Sequence, residues 1–243
     1  MPEPKETSKA GDPIFRHSAQ NAPRQRPDMS DSALEEIGAH IKHHLGPYNL
    51  ILHEIVSDIV HLDVHVVSPN PERPWYTLVT SGASDLPMNP PPECESLRHA
   101  EFFINLPPHW EIDSKKWNDK SHYWPIRWLK IVARLAHEYK SWVWVGHTVP
   151  NGDPPERFAK GTKMCCMLVS YPVSVDEGFH TLRVRDDKVI HFWSVVPIYR
   201  EEIKIKLDEG CDALFEKFDE HAITDLIDPK RTNVAKKRLW GLF

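Results

Sequence analysis

No stretch of this 243-residue sequence approaches the roughly 18 consecutive apolar residues that a membrane-crossing helix needs. The opening residues, MPEPKETSKAGDP, lack the apolar core of a secretory signal. Cysteine is scarce. Cys94, Cys165, Cys166 and Cys211 are the only four, and none falls in a CxxC pair. That spacing argues against a zinc knuckle or a disulfide framework and for free thiols in a reducing compartment. A basic excess is also missing. The formal net charge is −5, without the cationic face by which nucleic-acid binders displace counterions. The phosphate-cradling loops GxxxxGKS/T and GxGxxG do not occur, and neither does the GxSxG turn of a serine hydrolase. These absences predict a cytoplasmic protein with no cofactor, no membrane contact and no nucleic-acid partner.

What is present reads as a globular chain. Hydrophobic residues make up 40% and charged residues 27%, and the length suits one large domain. Residues 1–30 are rich in Pro, Ser, Gln and Arg, with Ile14 and Phe15 their only large apolar residues besides methionine. Such a segment has little to offset its ordering entropy and is expected to be a flexible tail. Ser32 and Glu35 then have capping-box spacing ahead of a stripe of Leu34, Ile37, Ile41 and Leu45, which Gly46-Pro47 stops. Strands are predicted around Leu50 and Leu52, over Ile59–Val67, Trp75–Thr80 and Glu101–Leu106. The PMNPPP run at 87–92 cannot join a ladder, because proline lacks the amide donor. A second helix is expected from Trp124 to Tyr139, with Pro125 in its first turn. Further strands follow at Trp142–His147, Met164–Val169, Phe179–Arg183 and Val189–Val196. Pro197 then opens a helical stretch broken near Gly210. The pattern predicts an α+β fold: a single domain over 31–229 with a mixed, mainly antiparallel sheet covered by helices. Residues 230–243 read as a basic tail.

Several groups could carry chemistry. His61, Asp63 and His65 alternate along one strand and so share a face; two imidazoles and a carboxylate suit zinc or iron and a metal-dependent hydrolase. The simpler reading is the polar face of an amphipathic strand. His40, His43 and His44 read as solvated helix surface. Ser81 or Ser84 in TSGASD could be sought as a nucleophile oriented by Asp85, but no histidine is assigned to either, and a structured turn is the simpler reading. Cys165 and Cys166 lie in an apolar run, MCCMLV, where buried thiols are usually inert. Of nine tryptophans, Trp124, Trp128, Trp142, Trp144 and Trp193 fall on predicted elements and read as core. Trp75, Trp110, Trp117 and Trp240 lie near element ends. Between Ile198 and Asp228 ten acidic residues face four basic ones, a net of −6. That is either a solvated helical face or an acidic docking surface for a basic partner.

The segment Tyr76–Met88, YTLVTSGASDLPM, resembles the hallmark of suppressor-of-fused domains. AEFFINLP at 100–107 followed by Trp110, WPIRWLK at 124–130, Trp142–His147 and VVPIYREE at 195–202 resemble later segments of that family, in the same order across about 33–233. The length is similar to that of the bacterial single-domain members. The resemblance implies a non-catalytic domain that binds another protein; for the bacterial members it implies an immunity or antitoxin role, neutralising a cognate toxin by binding it. It supplies no catalytic residue and no metal ligand. The surfaces expected to meet a partner are the motif loop that the resemblance marks, with Ser81, Ser84, Asp85 and Met88, and the acidic C-terminal helices that the charge pattern marks, with Glu201, Glu202, Glu209 and Glu216.

Overall fold

Hydrophobic patterning sorts the chain into strands and helices around one large sheet in this computed structural model, which describes residues 4, 6–17, 32–54, 59–113 and 119–236. The sheet runs β3 (Tyr48–Leu52), β4 (Asp63–Val67), β5 (Tyr76–Ser81), β6 (Ala100–Leu106), β10 (Lys188–Tyr199), β8 (Met164–Ser170), β7 (Thr148–Pro150). A further strand, β9 (Thr181–Arg185), pairs with β10 ahead of the β8 ladder. Every pairing in this sheet is antiparallel except β6–β10, where Trp193 lies beside Phe102. The predicted mixed, mainly antiparallel sheet with covering helices is therefore what forms.

Both faces of the sheet are buried. On one, Val64, Leu78, Phe102, Ile104 and Val195 pack against Trp128, Leu129, Val132 and Ala136 of helix α2 (Lys120–Glu138). On the other, Val67, Val79, Phe103, Ile190 and Phe192 meet Ile37, Ile41 and Leu45 of helix α1 (Leu34–Leu45). Farther along that second cover, Cys166, Leu168, Val196 and Ile198 pack with Ile205 of α3 (Arg200–Glu209) and Leu214 and Phe218 of α4 (Cys211–Glu220). Successive strand residues point to opposite faces, so β6 is buried at every position from Ala100 to Leu106.

Several local expectations change. The start of α1 takes no side-chain cap from its own segment; the Ala33 amide donates instead to Asp85 Oδ1 at 3.3 Å. Helix α2 begins at Lys120, capped by Asp119 accepting from the Ser121 amide at 2.8 Å, so Pro125 falls inside the helix rather than in its first turn. Residues 142–147 form no strand; they run as irregular chain with a turn at 145–146. Their alternating apolar pattern arises because Val143 is buried while Trp142 and Trp144 stack on one another, 5.8 Å between centroids. Pro197 lies inside β10 and the helix starts at Arg200. The β6 ladder covers only His191–Ser194, so Pro197 pairs with β8 on one side alone, and its missing donor costs no bond on the other.

The N-terminal segment expected as a flexible tail is ordered in part. Strands β1 (Glu6–Thr7) and β2 (Pro13–Ile14) form a hairpin against α3. There the Ala10 amide donates to Leu207 O at 3.1 Å, Lys9 pairs with Asp208, and Lys206 pairs with Asp12. Residues 18–31 lie outside the described residues. The basic C-terminal segment also begins inside the fold, with Val234 buried. Trp124, Trp128 and Trp193 are buried as expected, while Trp117 and Trp240 lie outside the described residues.

Candidate functional site

The motif loop starts where β5 ends. Gly82 holds φ +100, and a Cβ there would sit 1.9 Å from the backbone oxygen of His61, so this turn admits glycine alone. A short 3-10 turn, Ala83–Asp85, follows. Its Ser84 faces inward, onto Glu101 of the neighbouring β6. Glu101 Oε1 accepts from the Ser84 amide (2.9 Å) and from Ser84 Oγ (2.7 Å), and Oε2 accepts from Thr80 Oγ1 (2.6 Å). The Thr80 hydroxyl in turn accepts from the Phe102 amide at 2.9 Å. Two histidines close the network: His99 Nδ1–H donates to Ser84 O and His137 Nε2–H to Ala83 O, each at 2.8 Å. Burial raises the Glu101 carboxyl to about 7, against the opposing pull of its three hydrogen bonds. Burial lowers His137 to about 4, and His99 in the same direction, so both rings are neutral donors.

This geometry corrects the expectation for the motif side chains. Ser81, Ser84 and Met88 are buried. Asp85 is half-buried and is occupied with the Ala33 amide. The outward surface of the loop consists of Leu86, Pro87 and Asn89. Sequence reasoning missed Thr80, His99, Glu101 and His137. The available signal was Glu101 itself, a lone carboxylate in the strand AEFFINL.

The acidic helices divide in the same way. Glu202 is fully buried. It accepts from the Tyr199 amide at 2.9 Å, capping α3, takes a two-pronged contact from Arg231 (2.7 Å to each oxygen) and accepts from the Val234 amide at 3.0 Å. The Arg231 guanidinium lies over the rings of Tyr199 and Phe218. Glu202 is thus a brace between α3 and the C-terminal segment, not a surface contact. Glu201, Glu209 and Glu216 are exposed.

His61, Asp63 and His65 do not assemble as one donor set. Asp63 Oδ1 lies 3.3 Å from His61 Nε2 and Oδ2 lies 3.0 Å from His53 Nδ1, while His65 Nε2 hydrogen-bonds Ser81 Oγ at 2.9 Å. Among the described residues no group of three metal-ligating side chains converges. Asp63 and His65 are buried because the sheet is covered on both faces, and burial holds His65 down to about 4. His40, read as surface, is buried between Phe179 and Phe192, and its Nε2–H donates to Phe179 O. Cys165 and Cys166 are buried, with their thiols pushed up by burial.

The family profile of the suppressor of fused protein (SUFU) matches residues 58–232, a span that contains the Gly82 turn, the Glu101 network and the Glu202–Arg231 brace. The chain belongs to the suppressor-of-fused family. A comparison with curated protein sequences finds no match. Among solved structures, the SUFU fold here is similar to a candidate SUFU homologue from Neisseria gonorrhoeae, with 19% identity, a TM-score of 0.62, and coverage of 86% of this chain and 100% of that one. It is similar to a chain of the Sufu–Fu complex (12% identity, TM-score 0.58, 84% of this chain and 93% of that one). It is also similar to Drosophila Suppressor of Fused (10% identity, TM-score 0.55, 87% of this chain), of which it spans about half, 52%.

Proposed function

We propose that this SUFU domain is a non-catalytic protein-binding module of the immunity type, which neutralises a partner protein, a cognate toxin in this reading, by occupying its surface. The observation that carries the proposal is the inward turn of the family motif. Ser84, Thr80 and Glu101 are hydrogen-bonded to one another in the interior, so the motif shapes a surface instead of presenting reactive groups. A family fold solved in the Sufu–Fu complex supports the same class of role. A cytoplasmic setting belongs to this reading and is supported by the four cysteines, all free. Among the described residues no helix is long and apolar enough to cross a membrane.

The test is co-expression of the tagged protein with the product of the neighbouring reading frame, followed by affinity capture and a growth assay. Capture together with rescue of growth is the expected result. Absence of both, with the capture repeated at low salt, would overturn the immunity role.

A further inference from the structure

The two most exposed large apolar side chains among the described residues are Tyr171 and Val173, at 52% and 62% exposure. They sit two residues apart in the segment that follows β8. This segment is pinned from below. Ser194 Oγ donates to Tyr171 O at 3.2 Å, Asp225 Oδ2 accepts from the Val173 amide at 3.2 Å, and Asn105 Nδ2 donates to Ser174 Oγ at 2.7 Å. All three anchoring side chains are buried, as is Pro172 between the two exposed residues. Buried polar groups are thus spent on holding two apolar side chains in water, an arrangement that serves a surface prepared in advance for contact.

The patch continues onto α4. The Tyr171 ring lies 6.4 Å from that of Phe215, which is half-buried, and 6.3 Å edge-on from that of Trp193. Helical spacing places Asp212 three residues before Phe215 and Asp219 four after it, on the same face, with Glu216 adjacent. All three carboxylates are exposed, and none makes an ion pair among the described residues. An aromatic and aliphatic centre bordered by unpaired acid is complementary to one kind of partner surface.

We infer that Tyr171, Val173 and Phe215, rimmed by Asp212, Glu216 and Asp219, form the docking surface for a basic polypeptide segment whose apolar side chain lodges against Tyr171 and Phe215. This rests on the protein-binding reading and supplies the surface it lacked. The probe is a fluorescein-labelled peptide alternating Arg and Leu, followed by anisotropy, with Arg–Ser and Glu–Leu peptides as controls. The Arg–Leu peptide is expected to bind best. The double variant Tyr171→Ser/Val173→Ser should weaken it by about tenfold or more. Asp212→Lys/Asp219→Lys should weaken it and flatten its salt dependence. The four substituted residues are exposed, and an unchanged melting temperature checks that each variant folds. Equal binding by wild type and both variants, or no binding of the Arg–Leu peptide to wild type, overturns the inference. Capture of the neighbouring reading frame's product separates the two ideas. Capture undiminished in Tyr171→Ser/Val173→Ser removes this surface and leaves the protein-binding reading standing. No capture by wild type, with the peptide results as expected, removes the neutralising role and leaves the surface.

Discussion

Gly82 and Glu101 set the cost of changing the motif loop residue by residue. Gly82→Ala would put a Cβ into the His61 carbonyl oxygen at a φ of +100, and we expect a loss of roughly 2–4 kcal/mol in urea unfolding. Glu101 gives a pH signature. Its carboxyl is raised to about 7 in the fold from an ordinary 4.5, so the native state favours the protonated form. That contribution is fully present below about pH 4.5 and is lost as pH rises to about 7. The total is on the order of 3 kcal/mol. Glu101→Gln carries no such ionisation. Its stability relative to wild type should therefore improve by a similar amount between those two pH values, as read from urea midpoints. A constant difference across the window would show that the carboxyl ionises freely in the fold.

At the scale of elements, the buried Glu202–Arg231 pair ties the C-terminal segment to the first turn of α3. Arg231→Ala leaves a buried carboxylate with only two amide donors, and should cost roughly 3–5 kcal/mol in thermal or chemical unfolding. The altered chain should also become sensitive to proteolysis after Asp228. How far such elements were legible in the sequence follows from how local their causes are. The apolar stripe of α1 and the apolar runs of β5 and β6 could be read directly, because local sequence decides them. The capping of α1 by Asp85 could not, since its donor and acceptor are 52 residues apart. The alternation of His61, Asp63 and His65 suggested a solvent face, but a sheet buried on both sides places Asp63 and His65 in the interior. Of the candidate site, the motif loop and acidic helices were found by pattern. Which of their side chains turn inward depended on Glu101 and Arg231, whose partners are set by tertiary structure.

Across the whole molecule, burial keeps His65, His137 and His147 neutral, each lowered to about 4 from an ordinary 6.5. Unfolding lets all three take up protons, so their contribution is present above about pH 6.5 and is lost as pH falls to about 4. Glu101 runs the other way over part of that range and offsets one of the three. The net expectation is a protein that loses stability steadily on mild acidification. Urea titrations across that interval test it, and a flat or rising profile towards acid would contradict the burial of these rings. The topology has a separate kinetic consequence. Strand β10 lies between β6 on one side and β8 and β9 on the other, and it follows all of them in the chain. Until residue 199 has left the ribosome, β6 has a bare edge and the β7–β8 pair has no sheet to join. Between the emergence of Ser170 and that of Tyr199 the nascent chain thus holds two open half-sheets, a natural client for chaperones, and its folding is governed by long-range strand pairing rather than by local helix formation.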